Sequence, residues 1–196
     1  MPTLNSLTVF CGSSLGADTA YTLAAESLGT LLAHHHIRLI YGGGNIGLMG
    51  KLASACLAAG GHVTGVIPQF MMDKEIGRID LSDLRIVHSM HERKALMAQL
   101  ADGFIALPGG FGTLEELSEI LTWSQLGLHT KPVGLLNTAH FYDHLLAFLD
   151  HATARGLIHT KHRALLLTAE DPESLLTQMR EWQPTPTKKW ITPERT

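Results

Sequence analysis

Short apolar runs alternate along the chain with longer segments whose apolar residues recur at helical spacing. Each run is too short for a helix and too uniformly apolar for a strand with one face in water, a pattern typical of buried parallel strands. The predicted strands cover residues 7–11, 37–41, 62–67, 84–87, 103–107, 133–136 and 164–167. The predicted helices cover residues 18–35, 47–59, 89–101, 113–127, 141–154 and 172–182. This alternation predicts an α/β protein with a doubly wound parallel sheet between two layers of helices.

Two of the predicted helices have recognisable start signals. Asp171 followed by Pro172 is typical of an N-cap with proline at the first helical position. Ser89 and Glu92 have the spacing of a capping box. Both signals support the helical part of the alternation independently of the apolar pattern.

The same pattern predicts a single domain over residues 1–182. Residues 183–196 hold Pro184, Pro186 and Pro193 and are expected to form an extended C-terminal tail. Residues 68–83 form the longest irregular connection, and connections of that length inside a compact domain are often active-site loops.

Composition and charge exclude several classes of protein. With 17% charged and 45% hydrophobic residues, the chain is expected to fold into a globular domain. A net charge of −3 argues against a nucleic-acid or anionic-membrane binder. The N-terminal sequence lacks the pattern of a signal peptide, no apolar stretch approaches the ~18 residues of a membrane span, and two cysteines form no disulfide framework. We expect a reduced cytoplasmic protein.

The twelve histidines lack zinc-site spacing, so no metal is expected.

Three predicted strands end in loops of small residues, at 11–14, 42–47 and 108–113. The carboxyl ends of parallel strands lie together at one edge of the sheet, where ligands bind. Glycine lets backbone N–H groups approach an anion closely, and a helix N-terminus favours negative charge. Any one loop is explained equally well as a tight turn, but the three together favour a phosphate site.

The kind of phosphate ligand can be narrowed further. Residues 42–47 match the G-x-G-x-x-G fingerprint of dinucleotide sites, but no acidic residue that could hold a ribose lies between this segment and Met72. A phosphate loop of nucleoside triphosphatases is excluded, because Leu52 follows Lys51 and Asn45 stands where that motif needs its first glycine. The loops therefore indicate a mononucleotide or a sugar phosphate.

A charged residue interrupts the apolar stripe of the helix predicted at 89–101. Arg93 falls on the face that carries Met97 and Leu100, and a guanidinium there needs a partner or a cleft. One interpretation is a structural ion pair. The other is that Arg93 faces the ligand cleft, where its planar fork suits phosphate or ribose oxygens. Lys94, at the edge of that face, either adds a charge to the cleft or is solvated.

Glu116 follows the third glycine loop within one helical turn. It has capping-box spacing to Thr113, so it could simply cap the helix. Alternatively, its carboxylate could hydrogen-bond a ribose or a water while nearby N–H groups hold the phosphate. Glu115 points about 100° away and is the weaker candidate.

The helix predicted at 113–127 is apolar on two sides. Leu117 and Ile120 lie on one side, and Trp123 and Leu126 lie nearer the other. A helix of this kind is more buried than one sheet layer requires. A homodimer contact would explain the second side, and so would an additional packed layer within one chain.

The segment His91-Glu92-Arg93-Lys94, followed by residues 108–116 with the pattern PGGxGTxxE, resembles the Lonely Guy family of cytokinin riboside 5′-monophosphate phosphoribohydrolases. The glycine segment 42–50 matches the family as well, and the resemblance covers about residues 7–150. It implies a Rossmann-like fold, commonly a homodimer, and no metal or organic cofactor. The implied reaction is hydrolysis of the N-glycosidic bond of N6-modified adenosine monophosphates, or in some members of AMP, to the free base and ribose 5-phosphate.

The resemblance also implies roles for individual residues. Arg93 and Glu116 would be the catalytic pair, because a carboxylate near the anomeric carbon stabilises an oxocarbenium-like sugar and an arginine can hold substrate oxygens and keep the carboxylate ionised. Together with the glycine loops, the residues expected to contact the nucleoside monophosphate are Gly12, Ser13, Gly43, Gly44, Met49, Glu75, Met90, Arg93, Lys94, Pro108, Gly109, Gly110, Phe111, Gly112, Thr113, Leu114, Glu115, Glu116 and Thr122.

Two other functions fit the same residues. One is a plain AMP nucleosidase of purine salvage. The other is a non-catalytic carrier of a nucleotide-like cofactor, as in the related molybdenum-cofactor carriers. The complete Arg93/Glu116 pair favours an enzyme. Family members were often labelled lysine decarboxylases, but the chain has no Ser-x-His-Lys signature for a pyridoxal Schiff base, and Lys94 is expected in the middle of a helix.

Overall fold

The structure, a computed structural model, describes residues 4–72 and 77–183 and is built around one parallel sheet of seven strands. The strands lie in the order β4-β3-β2-β1-β5-β6-β7. Their bounds are β1 (Ser6–Phe10), β2 (Arg38–Tyr41), β3 (Val63–Pro68), β4 (Asp83–Val87), β5 (Gly103–Ala106), β6 (Val133–Leu136) and β7 (Leu166–Ala169). The chain winds from β1 outward to β4, returns to β5 beside β1, and winds outward again to β7. The predicted doubly wound sheet is confirmed.

Helices cover both faces of this sheet. They are α1 (Thr19–His34), α2 (Gly47–Ala58), α3 (Gln69–Met72), α4 (Met90–Leu100), α5 (Phe111–Gln125), α6 (Asp143–Ala154), α7 (Thr160–Arg163) and α8 (Pro172–Glu181), with a 3₁₀ turn at Thr138–His140. The six long helices match the prediction to within two residues at each end. The four-residue helices α3 and α7 were not predicted, because one helical turn is too short to show a period.

Two apolar clusters, one on each side of the sheet, form the core. α1, α2 and α8 pack on one side, and α4, α5 and α6 pack on the other. All residues of β1, β3, β5 and β6 are buried, as their uniformly apolar sequences predict. The edge strand β4 instead exposes Arg85 and Ile86. Among the described residues, no helix has the length and hydropathy needed to cross a membrane.

Capping at the helix N-termini agrees with two predictions and overturns a third. Asp171 accepts a hydrogen bond from the Ser174 N–H at 2.9 Å. Ser89 accepts one from the Glu92 N–H at 3.1 Å, while the Glu92 carboxylate accepts from the His88 N–H at 2.7 Å. The capping role of Glu116 is wrong, because α5 begins two residues earlier than predicted, with a glycine at the N-cap. Glu116 thus lies inside the helix, free of any capping role.

The cap of α8 provides a test of the fold that leaves the sheet edge untouched. Replacing Asp171 with alanine removes the acceptor for the Ser174 N–H, so we expect the free energy of unfolding to fall by about 1 kcal/mol. Urea denaturation measures this difference. Thr177→Ala, on the exposed side of the same helix, is the matched control and should not destabilise the protein. Equal unfolding midpoints for Asp171→Ala and wild type would show that the cap contributes nothing.

Candidate active site

A cleft of about 340 Å³ lies at the carboxyl edge of the sheet, where β1 and β5 are neighbours. The winding direction of the chain reverses between these two strands, and such switch points are the usual ligand sites of open α/β sheets. The walls come from the loops after β1 and β2, from α3 and α4, and from the first turns of α5. The lining residues are Val9, Phe10, Cys11, Gly12, Ser13, Gly42, Met49, Met71, Met90, Arg93, Met97, Gly110, Phe111, Gly112, Thr113, Glu115 and Glu116.

Arg93 lies on the floor of this cleft, with its side chain only 10% exposed. Its Nε donates a hydrogen bond to the Val66 carbonyl oxygen at 3.2 Å, and its Nη1 lies 3.4 Å from Oε1 of Glu116. A Cβ atom on Gly42 would fall 1.9 Å from Nη2 of Arg93. The guanidinium therefore packs directly on the bare backbone of Gly42. Both interpretations of Arg93 hold, because it forms an ion pair and the pair lines the cleft.

Glu116 is nearly as buried as its partner, with 12% of its side chain exposed. Burial raises the pKa of its carboxyl above the ordinary value for glutamate, and the positive charge of Arg93 opposes this shift without cancelling it. The Cys11 thiol lies beside the pair, and burial, followed by the charge on Glu116, raises its pKa. The thiol therefore stays protonated, which argues against Cys11 as a nucleophile.

The first and third glycine loops meet at the cleft as predicted. The Gly12 N–H donates a hydrogen bond to the Pro108 carbonyl oxygen at 3.1 Å, which ties the two loops together. Gly110 occupies the N-cap of α5 and has no side chain with which to cap the first N–H groups of the helix. These groups therefore open onto the cleft wall, and with the helix dipole they favour an anion there.

The second glycine loop plays a different part from the one expected. Gly43 and Gly44 are buried and lie outside the cleft lining, and Gly43, at φ 72°, packs on Ile67. A Cβ on Gly47 would overlap the backbone of Ser13. The loop thus supports the first loop through close backbone packing, and only Gly42 reaches the cleft, beneath Arg93.

The side chain of Lys94 lies outside the cleft lining. Its ammonium binds two carboxylates of α5, with Nζ at 3.0 Å from Oε1 of Glu119 and in hydrogen-bonding contact with Glu115. Its side chain is 10% exposed and is absent from the cleft lining. The expectation that Lys94 is solvated is wrong, and in this structure it contacts α5 rather than the cleft.

Four other residues of the predicted set lie outside the cleft lining. Pro108 and Gly109 line an adjoining hollow of about 250 Å³. Leu114 packs on the apolar cluster under α5. Thr122 is exposed, donates its hydroxyl to the Ser118 carbonyl oxygen, and lies about 9 Å along α5 from Glu116. Glu75 lies outside the described residues.

Six lining residues are absent from the predicted set of contact residues: Val9, Phe10, Cys11, Gly42, Met71 and Met97. Gly42 had a usable signal, because it is the first residue after β2, at the same sheet edge as the other loops. Met97 had none, since its position on the apolar stripe of α4 is also that of a core residue.

Comparisons with known proteins identify the family of this chain. A family model described as "Possible lysine decarboxylase" matches residues 49–179. A protein of Oryza sativa subsp. japonica named probable cytokinin riboside 5′-monophosphate phosphoribohydrolase is 52% identical over 90% of this chain and 78% of its own length. Proteins named cytokinin riboside 5′-monophosphate phosphoribohydrolase in Arabidopsis thaliana and Rhodococcoides fascians are each 48% identical, over 90% and 91% of this chain and 81% and 91% of their own lengths.

The chain belongs to the cytokinin riboside 5′-monophosphate phosphoribohydrolase family. The resemblance to the Lonely Guy family is thereby confirmed. The side-chain amine of Lys94 lies between two carboxylates of α5, Glu115 and Glu119. This position does not fit the lysine of a pyridoxal-dependent decarboxylase, whose amine must be free to form a Schiff base. Within residues 4–72 and 77–183, no group of three or more His, Cys, Asp and Glu side chains is arranged to hold a metal ion.

Solved structures share the fold of this phosphoribohydrolase-family chain at much lower sequence identity. A molybdenum cofactor carrier protein of Chlamydomonas reinhardtii superposes with a TM-score of 0.68 at 20% identity, covering 91% of this chain and 98% of its own. A molybdenum cofactor binding protein of Rippkaea orientalis gives a TM-score of 0.66 at 21% identity, covering 90% and 94%. At such identities the likeness concerns the fold alone.

The packing of Arg93 on Gly42 predicts a specific sensitivity to one methyl group. In Gly42→Ala the new Cβ would overlap Nη2 of Arg93, so the guanidinium must shift from its place beside Glu116, and we expect turnover to fall by roughly 10²-fold. Gly44→Ala is the matched comparison, because its Cβ meets only the flexible end of Met49, at 3.1 Å. Steady-state kinetics and melting temperatures of both variants separate a site effect from unfolding. Equal losses in the two variants would contradict this packing argument.

The raised pKa of Glu116 predicts where activity is lost in acid. A carboxylate that must be ionised loses its function as pH falls through its pKa, and the pKa of Glu116 is above the ordinary value for glutamate because of burial. The acid limb of kcat/KM against pH, which reports the free protein, should therefore lie above the pH at which an exposed glutamate titrates. A profile measured at nucleotide concentrations well below KM checks this. A limb at or below the ordinary glutamate value would mean that Glu116 does not control the reaction.

Proposed function

We propose that this chain hydrolyses the N-glycosidic bond of an N6-substituted adenosine 5′-monophosphate to the free base and ribose 5-phosphate. The observation that carries this proposal is the buried Arg93–Glu116 pair, 3.4 Å apart, beside the uncapped N-terminus of α5. The phosphoribohydrolases named above, at 48–52% identity, support it.

The 5′-phosphate is proposed to bind at the N-terminus of α5. The N–H groups of residues 111–113 and the hydroxyls of Ser13 and Thr113 provide donors along one wall of the cleft. Held there, the phosphate fixes the ribose, and its binding energy can serve to orient the bond that breaks.

Glu116 is proposed to act at the anomeric carbon. As the bond between C1′ and the base nitrogen breaks, positive charge develops on the sugar, and the carboxylate stabilises that charge and orients a water. The water delivers its hydroxyl to C1′, and one proton ends on the released base. Arg93 holds ribose or phosphate oxygens and, by its charge, favours the ionised form of Glu116.

The apolar side of the cleft supports a substituted base over AMP itself. Met49, Met71, Met90 and Met97 line it, and Phe111, 93% exposed, lies at its mouth. Flexible thioether side chains and an accessible aromatic ring suit a purine with an apolar N6 substituent. AMP nucleosidase activity remains the second candidate, since the same contacts also accept adenine.

The protein is further proposed to be a homodimer in which α5 contributes Trp123 or Leu126. Both side chains are half-buried, and Trp123 lines a hollow of about 430 Å³ together with Ala95 and Gln99 of α4. An apolar surface of this kind on two adjacent helices suits a second copy of the chain. A cytoplasmic location fits the two buried free cysteines.

The decisive experiment identifies products and compares substrates. The protein is incubated with isopentenyladenosine monophosphate, with AMP and with the two corresponding nucleosides, and free bases and ribose 5-phosphate are quantified by chromatography. We expect the nucleotides to be hydrolysed with kcat/KM at least about 10²-fold above the nucleosides, because only nucleotides engage the α5 N-terminus. Equal kcat/KM for nucleotide and nucleoside would refute the proposed phosphate site at the N-terminus of α5, and absence of free base would refute the proposed reaction.

The role of Glu116 is tested with a variant that keeps the shape of its side chain and removes its charge. Glu116→Gln should lower turnover by a factor of roughly 10² or more while nucleotide affinity, measured by calorimetry, changes little. Glu26→Gln, in an exposed ion pair between α1 and α2, should behave as wild type. Near wild-type kcat for Glu116→Gln would move the chemistry to another carboxylate, with Glu115 or Glu75 the next candidates.

The assembly prediction is tested by light scattering at micromolar concentration. We expect a particle of twice the 21.3 kDa chain mass for the wild type. Trp123→Glu should produce monomers, because a charge on this half-buried position cannot be desolvated in the contact. A wild-type particle of 21.3 kDa would contradict the homodimer and leave this side of α5 to contacts within one chain.

A further inference from the structure

Two consecutive residues of α4 reach across to acidic side chains of α5. Nη1 of Arg93 lies 3.4 Å from Glu116, and Nζ of Lys94 lies 3.0 Å from Glu119. Glu119 follows Glu116 by about one helical turn, so the two ion pairs lie side by side between the helices. We call the Arg93–Glu116 pair the first rung and the Lys94–Glu119 pair the second rung. Only the first rung lines the cleft.

The second rung is more buried than a surface salt bridge. The side chain of Lys94 is 10% exposed and that of Glu119 is 25% exposed. Glu115 and Glu119 are four residues apart on one face of α5, where two like charges repel each other. The ammonium of Lys94 binds both and removes this repulsion. Lys94 therefore stabilises α5 in the position in which Glu115 and Glu119 meet it.

The two members of the first rung are not held in the same way. Arg93 is held against the sheet by the Val66 carbonyl oxygen and the backbone of Gly42. Glu116 sits one and a half turns into α5, so its place depends on where α5 lies relative to α4. A contact that fixes this helix pair sets the distance between the guanidinium and the carboxylate, and a displacement of 1 Å at a reacting centre can lower a rate by about 10²-fold.

We propose that Lys94 and Glu119 are positioning residues, which hold α5 against α4 so that Glu116 faces Arg93 across the cleft. The proposal rests on the proposed function of the Arg93–Glu116 pair. It assigns Lys94 to the helix contact rather than to the nucleotide, and it gives a role to Glu119, which the glycine loops and the family motif leave without one.

The charges around Glu116 make the second rung measurable at the carboxyl itself. The groups that face Glu116 are Arg93 and Lys94 from α4, Cys11 after β1, and Glu115 and Glu119 from its own helix. Lys94 lowers the pKa of Glu116 and Glu119 raises it. Arg93 lowers this pKa more than Lys94 does, so a Glu116 carboxyl that moves away from Arg93 should titrate at higher pH in either variant, whereas simple exposure to water would lower its pKa.

The kinetic test uses Lys94→Met and Glu119→Leu, which each break the second rung. We expect kcat on isopentenyladenosine monophosphate to fall at least about 10-fold in both, with KM within about 3-fold of wild type, because the variants disturb alignment rather than nucleotide contacts. The double variant should be no worse than the weaker single variant, as expected for two partners in one contact. Lys94→Arg, which keeps the charge, should restore most of the activity.

Two kinetic results would overturn the proposal. A raised KM in Lys94→Met beside wild-type kinetics in Glu119→Leu would show that Lys94 binds the nucleotide directly. Wild-type kcat in both variants would show that the second rung does not position Glu116. Glu26→Gln, in the ion pair with Lys51 on the other side of the sheet, controls for the loss of any interhelical ion pair.

A titration without turnover separates this proposal from the proposed function. The carboxyl carbon of Glu116 is followed by ¹³C NMR in protein labelled at glutamate, and its signal is assigned by its loss in Glu116→Gln. Its pKa should rise in both Lys94→Met and Glu119→Leu, because the carboxyl moves away from Arg93. A rise in both variants of a protein that hydrolyses no nucleotide would refute the function and leave the contact intact, whereas an unchanged or lowered pKa in Glu119→Leu would refute the positioning role.

Discussion

The site depends on the burial of one guanidinium. A charge taken out of water is strongly destabilising unless it finds partners, and Arg93, at 10% side-chain exposure, finds the Val66 carbonyl oxygen and the Glu116 carboxylate. Its place is available only because Gly42 has no side chain. The Arg93 guanidinium thus constrains three parts of the chain: Gly42 after β2, Val66 in β3 and Glu116 in the second turn of α5.

The sheet brings these constraints together. Because β1 and β5 are neighbours at the point where the winding reverses, their following loops face each other, and the hydrogen bond from Gly12 to Pro108 joins them. α5 then begins at the cleft wall, with its N-terminus toward the proposed phosphate and Glu116 one and a half turns further in. Fold and proposed chemistry are linked by this geometry, in which the dipole of α5 favours the anion and its second turn carries the carboxylate.

The sequence predicts most of this arrangement, and its failures have physical causes. Most of the strands are buried and almost uniformly apolar, which distinguishes them from amphipathic helices, and all seven were placed to within two residues. The start of α5 was placed two residues too late, because threonine is a common N-cap residue and Thr113 was taken as the start. The actual N-cap is Gly110, which has no capping side chain that the sequence could reveal. That error made Glu116 look like a capping residue.

The position of Gly42 at the sheet edge could be read from the sequence, but its contact with Arg93, like the contacts of Lys94, could not be predicted. Glycines at 42–44 are equivalent in sequence, and only the position of a side chain 51 residues further on decides that Gly42 is the one whose missing Cβ matters. Lys94 looks like a surface lysine until α4 and α5 are set beside each other, when Glu115 and Glu119 meet its ammonium. Contacts between helices distant in sequence are decided by tertiary packing, which a local pattern does not contain.

The central claim is that the Arg93–Glu116 pair is the reaction centre and the α5 N-terminus the phosphate site. A crystal structure of Glu116→Gln with isopentenyladenosine monophosphate tests both at once, because the variant is expected to bind the substrate without cleaving it. The account predicts the phosphate within hydrogen-bonding distance of the N–H groups of residues 111–113, and C1′ of the ribose next to Gln at position 116 with Arg93 on ribose or phosphate oxygens. A nucleotide bound with its phosphate away from α5, or with C1′ out of reach of position 116, would contradict it.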